Sequence, residues 1–284
     1  MEKILSESPG YTSEFRTLWL GHEWLRDKLI GYIHSRVLSG YPEYVNQLLS
    51  KLDHLTMHTD LPDQQIFVDL GGHLYNEIAV NGEMHTILEE DNKKRANNRS
   101  KAVLDLLPED FSPRNVLDYG CHNGKILVEL AEALNIPSMH QFGVDVDMPK
   151  DFQTFEFIKS KEFSSQVKSS SLDLIIALVV MHHLPKPMDI INEFYRILQP
   201  GGIVVVREHD YQAPEMKYLF DSLHYLWRSV FALPNEMENA DNYFSIDEWI
   251  SMFLECDFKL LLRQEDCPYA VTEYLVFQNS TTMH

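Results

Sequence analysis

The chain has 284 residues with 44% hydrophobic content, which allows one large or two small domains with a buried core and excludes a disordered polymer. Its formal charge of -19, from 24 Lys+Arg against 43 Asp+Glu, repels phosphate backbones globally and disfavours a non-specific nucleic-acid binder. Three scattered cysteines, Cys121, Cys256 and Cys267, exclude a disulfide framework and form no C-x-x-C pair for zinc or redox work.

The first residues, MEKILSESPGYTSEF, have no apolar segment behind a basic start, and no apolar run reaches the length of a spanning helix. A cytoplasmic location without a membrane partner is the expectation. From Ser13 to Leu38, apolar residues recur at Phe15, Leu18, Trp19, Leu25, Leu29 and Ile33, helical spacing with one buried stripe. A second helical pattern runs from Tyr44 to Leu55, after the Gly40-Tyr41-Pro42 break. Leu61-Pro62 opens a less regular stretch containing QIFVDL and the turn-like Gly71-Gly72. The stretch NKKRANNRSK (92–101) has five basic residues in ten and reads as a solvated helix face or linker, with a local nucleic-acid patch as the alternative. Arg99 to Leu107 predicts a helix ending at Pro108.

Beyond Pro113 the pattern changes. NVLDYG, QFGVDVD, LDLIIALVV and IVVVRE read as strands, and GKILVELAEALN and MDIINEFYRIL read as helices between them. Strands apolar at nearly every position, separated by helices, imply a parallel sheet covered on both faces, the doubly wound α/β architecture. Right-handed crossovers then gather the strand C-terminal ends along one ligand-binding edge. The domain expectation is a mostly helical N-terminal extension over 1–96, acting as lid or oligomer interface, and a core over 97–284 with a helical insertion at about 212–242.

Residues 116 to 126, VLDYGCHNGKI, place Gly120 and Gly124 between a predicted strand and a predicted helix. Glycine there lets backbone approach a ligand, and the helix start offers unpaired N–H donors. Asp145 ends the next strand, 25 residues after Gly120, where an acid can accept both hydroxyls of a ribose.

VLDYGCHNG resembles motif I of the class I S-adenosylmethionine-dependent methyltransferases, written V-L-D-x-G-C-G-x-G. GVDVD resembles the acidic second motif, and LDLIIALVVMHHLPKPMDIINEFYRILQPGG is similar to the fourth strand, its His-Leu turn and the helix ending in R-x-L-x-P-G-G. The resemblance spans about 97 to 278 and implies a seven-stranded, mostly parallel sheet with an antiparallel last strand, for which DFKLLLR and EYLVFQ supply a closing hairpin. It implies S-adenosyl-L-methionine as cofactor, S-adenosyl-L-homocysteine as product, and an unidentified acceptor as partner. It further implies that Asp118, Gly120, Cys121, His122 and Gly124 shape the methionine and ribose pocket. Asp145 would hold the ribose, and Ala177 and Leu178 would pass along the sulfonium side. His122 stands where the family has its middle glycine, and either narrows the space beside the methionine tail or adds a polar contact. For the adenine, FIKSKEFSSQVKSSS offers Glu162 near the place of the family's acidic residue, and Val146, Met148 or Phe163 can supply an apolar face.

Methyl transfer is an in-line displacement whose rate rests on holding nucleophile and methyl group aligned, with a general base needed when the acceptor starts protonated. Candidates on the C-terminal edge are His182 and His183 after the fourth strand and Glu208, His209 and Asp210 after the fifth. His209 is the preferred substrate-facing residue, with Asp210 or Glu208 orienting it, and His183 matches the family's turn histidine. No metal is expected, because adjacent histidines rarely chelate one ion together and no ligand spacing is diagnostic. The insertion's stripe of Met216, Leu219, Phe220, Leu223, Leu226, Trp227 and Phe231 packs a core or roofs an acceptor pocket. Three functions stay open: a methyltransferase acting on a small molecule, one acting on RNA or an mRNA cap, and an inactive methyltransferase-like partner subunit.

Overall fold

The computed structural model describes residues 14–59, 61–74, 83–148, 154–231 and 242–280; the expectations on the first residues and on the end of the insertion lie outside these. The chain begins with helices α1 (Glu14–Gly21), α2 (Glu23–Arg36), α3 (Pro42–His58), α4 (Asp63–His73) and α5 (Glu83–Leu106). There follow β1 (Val116–Tyr119), α6 (Lys125–Ala133), β2 (Gln141–Asp145), β3 (Glu156–Lys159), α7 (Phe163–Gln166), β4 (Leu172–Leu178) and α8 (Pro187–Ile197). The chain continues through β5 (Leu198–His209), α9 (Met216–Phe231), α10 (Ile246–Glu255), β6 (Phe258–Cys267) and β7 (Thr272–Asn279). It divides into two compact units, one of Met1–Asn92, Ala213–Asn239 and Pro268–Ala270, the other of Lys93–Gln212, Ala240–Cys267 and Val271–His284.

In the first unit the predicted stripe is buried in full: Phe15, Leu18, Trp19, Leu25, Leu29 and Ile33 all sit in its core. The single helix expected from Ser13 to Leu38 is two, because the backbone leaves helical geometry at His22, with φ -125° and ψ 82°. The irregular stretch expected after Leu61 is instead helix α4, and Gly71 lies inside it. A Cβ at Gly71 would come within 2.7 Å of the Ser229 carbonyl oxygen, so this glycine serves close helix packing rather than a turn. Helix α9 packs on α1, α2 and α4. Its Met216, Leu219, Phe220, Leu223 and Leu226 are buried, the core-packing outcome for the insertion's apolar stripe.

The second unit is built on a seven-stranded sheet of order β3-β2-β1-β4-β5-β7-β6. Strands β1 to β5 pair in parallel, and β7 runs antiparallel to both β5 and β6, the expected hairpin. Both sheet faces are covered, and the period of two shows it. In β4, Ile175 and Ala177 enter one core with Phe194, Ile197, Trp249 and Phe253. Leu174, Ile176 and Leu178 enter the other with Val103, Leu127 and Leu130. Each buried aliphatic side chain in these layers contributes about 1.5–3 kcal/mol of transfer free energy. Arg196, the arginine of the R-x-L-x-P-G-G resemblance, donates to the carbonyls of Ser164 and Val167 and so fixes the approach to β4.

Candidate active site

Strand β1 lies between β2 and β4, so the chain reverses its direction of travel across the sheet there. Loops after β1 and β4 leave toward opposite sides at such a switch point, opening a crevice beyond their C-terminal ends. The residues reaching this edge come from the ends of β1, β2, β4 and β5.

The loop after β1 is folded by its own backbone and by Asp145. Gly120 and Gly124 have φ of 81° and 74°, the left-handed region that glycine enters without strain. The amides of Gly120 and Cys121 both donate to the Val144 carbonyl, at 2.7 and 3.0 Å. His122 also has positive φ, 47°, and its amide donates to Asp145 Oδ2 at 2.7 Å. Histidine is among the non-glycine residues enriched in this region, at a cost of about 1–2 kcal/mol. The position where the resembling motif has its middle glycine therefore carries a ring on left-handed backbone here. Although part of His122 reaches solvent, surrounding protein and the Arg95 charge lower its pKa, against the pull of Asp145.

Asp145 Oδ1 accepts the Val146 amide at 2.7 Å, so each carboxylate oxygen holds one backbone N–H. A carboxylate offers about four acceptor sites, which leaves capacity for a diol. Val146 and Met148, just beyond it, are exposed apolar side chains, 60% and 54% accessible. Asp118 is buried, and desolvation together with the Asp145 charge pushes its carboxyl up to about 8, against the opposing pull of Arg99. Burial, Asp118 and Asp145 push the Cys121 thiol up as well, so it is no thiolate at neutral pH. Ala177 and Leu178 close β4 as buried residues. After them Val179 has φ 60°, a strained value for a β-branched residue, with its amide held by the Arg207 carbonyl at 2.7 Å. Glu162 is tied locally, accepting Gln166 Nε2 at 2.7 Å.

The ends of β4 and β5 carry a second cluster, centred on Glu208, whose accessibility is 0%. Its Oε1 accepts the amides of Val180 and Met181 at 3.0 and 2.7 Å, and its Oε2 accepts His182 Nδ1 at 2.6 Å and the His209 amide at 3.3 Å. Burial opposes ionisation of Glu208, but the His182 charge and hydrogen bond, with His209 and the Met181 amide, overcome it and hold the carboxyl at about 2. The half-buried His183 ring lies 4.2 Å from that of His182, between centroids. Tyr243 stacks on His182 at 5.5 Å, and His209 meets His182 edge-on at 5.4 Å.

The structure thus gathers His182, His183 and His209, but sets the partners differently from the sequence expectation. Asp210, expected to orient His209, accepts the Ile246 amide on Oδ1 at 2.9 Å and Gln212 Nε2 on Oδ2 at 2.5 Å, anchoring the start of α10. The side-chain hydrogen bond of Glu208 goes to His182, not His209. Tyr243 and Arg99 carry no sequence signal for this edge; Arg99 sits inside a basic stretch whose helical phase only packing sets.

The residues present fit the parts of S-adenosylmethionine: buried Asp118 for its cationic end, half-buried Asp145 for the ribose diol, and exposed Val146 and Met148 for a purine face. A relative named 27-O-demethylrifamycin SV methyltransferase, from Amycolatopsis mediterranei (strain S699), is 26% identical over 152 residues, 48% of this chain and 53% of that protein. The chain thus spans about half the length of that curated relative. Among solved structures, a SAM dependent methyltransferase from Aquifex aeolicus is 14% identical, with 63% of this chain and 88% of that one covered at a TM-score of 0.46. One from Archaeoglobus fulgidus is 15% identical, covering 66% and 94% at 0.47. Residues 91–263, more than half of the chain, match the family model described as a methyltransferase domain. The chain belongs to the class I S-adenosylmethionine-dependent methyltransferases, transferase enzymes whose methyl donor is S-adenosyl-L-methionine.

Proposed function

We propose that this protein methylates a small molecule whose reacting oxygen or carbon carries a dissociable proton, with His182 as the general base and Glu208 as the group that orients it. The observation carrying this reading is the 2.6 Å contact between His182 Nδ1 and Glu208 Oε2 at the ends of β4 and β5. Glu208 accepts the Nδ1 proton, which makes Nε2 the proton-accepting nitrogen of the ring. When Nε2 takes the acceptor's proton, Glu208 stays ionised beside the imidazolium and stabilises it. The bound donor supplies an electrophilic methyl group on sulfur. His182 Nε2 would take the proton of the acceptor's X–H bond, leaving the acceptor atom able to receive the methyl group that the bound donor would give up from its sulfur. His183, His209 and Tyr243, packed around His182, line the acceptor side.

In the same reading Asp118, Gly120, Cys121, His122 and Gly124 shape the methionine end, Asp145 holds the ribose, Val146 faces the adenine, and Ala177 and Leu178 run beside the sulfonium. The small-molecule class is supported by the name of the Amycolatopsis relative and by the chain's charge of -19. The alternative of an inactive partner subunit rests on His122 and on the want of a clear acidic partner for the adenine; the His122 backbone takes up the left-handed geometry of the loop.

The test begins with calorimetric titration of S-adenosylhomocysteine, with NADH as control, followed by methyl-transfer assays on phenols and 1,3-dicarbonyl compounds against short capped RNAs. Saturable homocysteine-cofactor binding and transfer to a small acceptor, abolished in His182→Ala, are expected. Transfer to RNA alone, or undiminished turnover in His182→Ala, would refute the proposal.

A further inference from the structure

Tyr243 contacts three rings where β4 and β5 end. It stacks on His182 with 5.5 Å between centroids and 23° between planes, and Tyr211 stacks on it at 6.0 Å and 27°. His209 meets it edge-on at 6.4 Å. The short segment carrying Tyr243 has no regular structure, yet it is tied at successive residues. Asn242 Nδ2 donates to the Leu184 carbonyl at 2.5 Å, directly after the turn that holds His182. The Tyr211 amide donates to the Phe244 carbonyl at 3.1 Å, and the Phe244 ring meets Trp249 edge-on at 5.0 Å. Ser245 and Glu248 then close a reciprocal cap on α10. Tyr243 itself is only half-buried, so core packing does not account for fixing it so firmly. What the ties do is hold one aromatic face against the imidazole of His182.

Resting on the reading of His182 as base, we propose that Tyr243 is a positioning residue whose ring face stabilises the positive charge His182 gains with the acceptor's proton. Stacking uses the face of the imidazole and leaves its plane to the nitrogens, with Nδ1 on Glu208 and Nε2 toward the acceptor. The two stabilising groups therefore act along different directions. Glu208 shares its charge with the amides of Val180, Met181 and His209, and Tyr243 adds a second source of stabilisation. An aromatic face carries negative charge density and attracts a cation within about 6 Å of its centroid, but gains less from a neutral ring. The contact thus strengthens as the proton moves, the condition for raising kcat rather than tightening binding. A second carboxylate in its place would favour a protonated ring before the acceptor arrived, whereas a neutral aromatic face biases the resting base less.

The test uses the full chain and the phenol or 1,3-dicarbonyl acceptor that the wild type methylates. Tyr243→Leu keeps apolar bulk but removes the ring face, and should lower kcat by roughly 3- to 30-fold, the range of a cation–π contact. The acceptor KM and the S-adenosylhomocysteine affinity should move little. Tyr243→Phe should recover most of the turnover. Phenylalanines of increasing ring fluorination at this position keep the shape but drain the face of charge, and should lower kcat stepwise; they decide the matter if the leucine variant fails to fold. In a His182→Ala chain, adding Tyr243→Leu should cost nothing further. A loss confined to KM, equal losses in Tyr243→Phe and Tyr243→Leu, a flat fluorination series, or a further loss in the His182→Ala chain would overturn the role of Tyr243 and leave His182 as base. Undiminished turnover in His182→Ala, or transfer to no small acceptor, would instead overturn the base assignment, and this inference with it.

Discussion

Replacing Glu208 by glutamine tests both the stability and the chemistry of the site with one atom changed. Oε1 serves two backbone amides, so the glutamine carbonyl oxygen stays with Val180 and Met181 and the NH2 group turns to His182. An NH2 facing Nδ1 forces the ring to accept there and carry its proton on Nε2, the opposite tautomer from the one a base needs. The His209 amide, 3.3 Å from Oε2 in the native chain, loses its acceptor as well. Losing one charge-assisted bond and stranding one buried amide costs about 2.5–6 kcal/mol. Linkage gives a similar figure. The fall of the Glu208 carboxyl from 4.5 to about 2 corresponds to about 3 kcal/mol, present above pH 4.5 and lost as pH falls toward 2. Urea unfolding at several pH values should therefore show the variant less stable by that amount at pH 7, with the gap closing in acid. Methyl transfer should fall by roughly 10²- to 10⁴-fold, the usual worth of a positioned base, with S-adenosylhomocysteine affinity nearly unchanged. Wild-type turnover in Glu208→Gln would refute the role of His182, and a gap independent of pH would refute an ionised buried carboxylate.

Three further outcomes are expected. Asp118→Asn should stabilise the ligand-free chain: the carboxyl's rise from 3.8 to about 8 makes the wild type lose stability as pH climbs through that window, on the order of 4 kcal/mol by pH 7. The advantage of asparagine should therefore grow between pH 5 and pH 8 in chemical unfolding, and an advantage that shrinks would contradict the buried acid. Gly120→Ala forces a side chain into φ 81° with its Cβ 2.4 Å from Val180 Cγ2, so S-adenosylhomocysteine binding should fall, with partial recovery when Val180→Ala is added. Phe253→Ala, which removes a fully buried ring stacked 4.2 Å from Phe277, should cost about 3–5 kcal/mol in unfolding of the sheet unit while leaving the ligand edge intact.

Much of the sheet was legible because its signals are local. LDLIIAL and IVVV are apolar at nearly every position, which only a strand covered on both faces requires, and they became β4 and β5. The positive-φ glycines of the loop were legible because a tight strand-to-helix turn, here between β1 and α6, calls for them. The first unit was harder. His22 gives no breaker signal, yet α1 and α2 part there. Gly71 and Gly72 look like a turn until α9 is brought against Gly71, when its missing Cβ becomes the condition for contact.

The same division runs through the candidate site. The chain alone determined which residues reach the C-terminal edge, since strand ends follow from apolar runs and parallel order from the crossover rule. Tertiary structure alone decided how they pair. Asp210 turns to the α10 amide and Glu208 to the ring 26 residues before it, because hydrogen-bond direction depends on side-chain rotamers and on neighbours distant in sequence. The half-buried Arg95 and Arg99 could be told from the exposed Lys93, Lys94 and Lys101 only once packing had set the rotation of α5, since a helix with little apolar asymmetry does not reveal its inner face by periodicity.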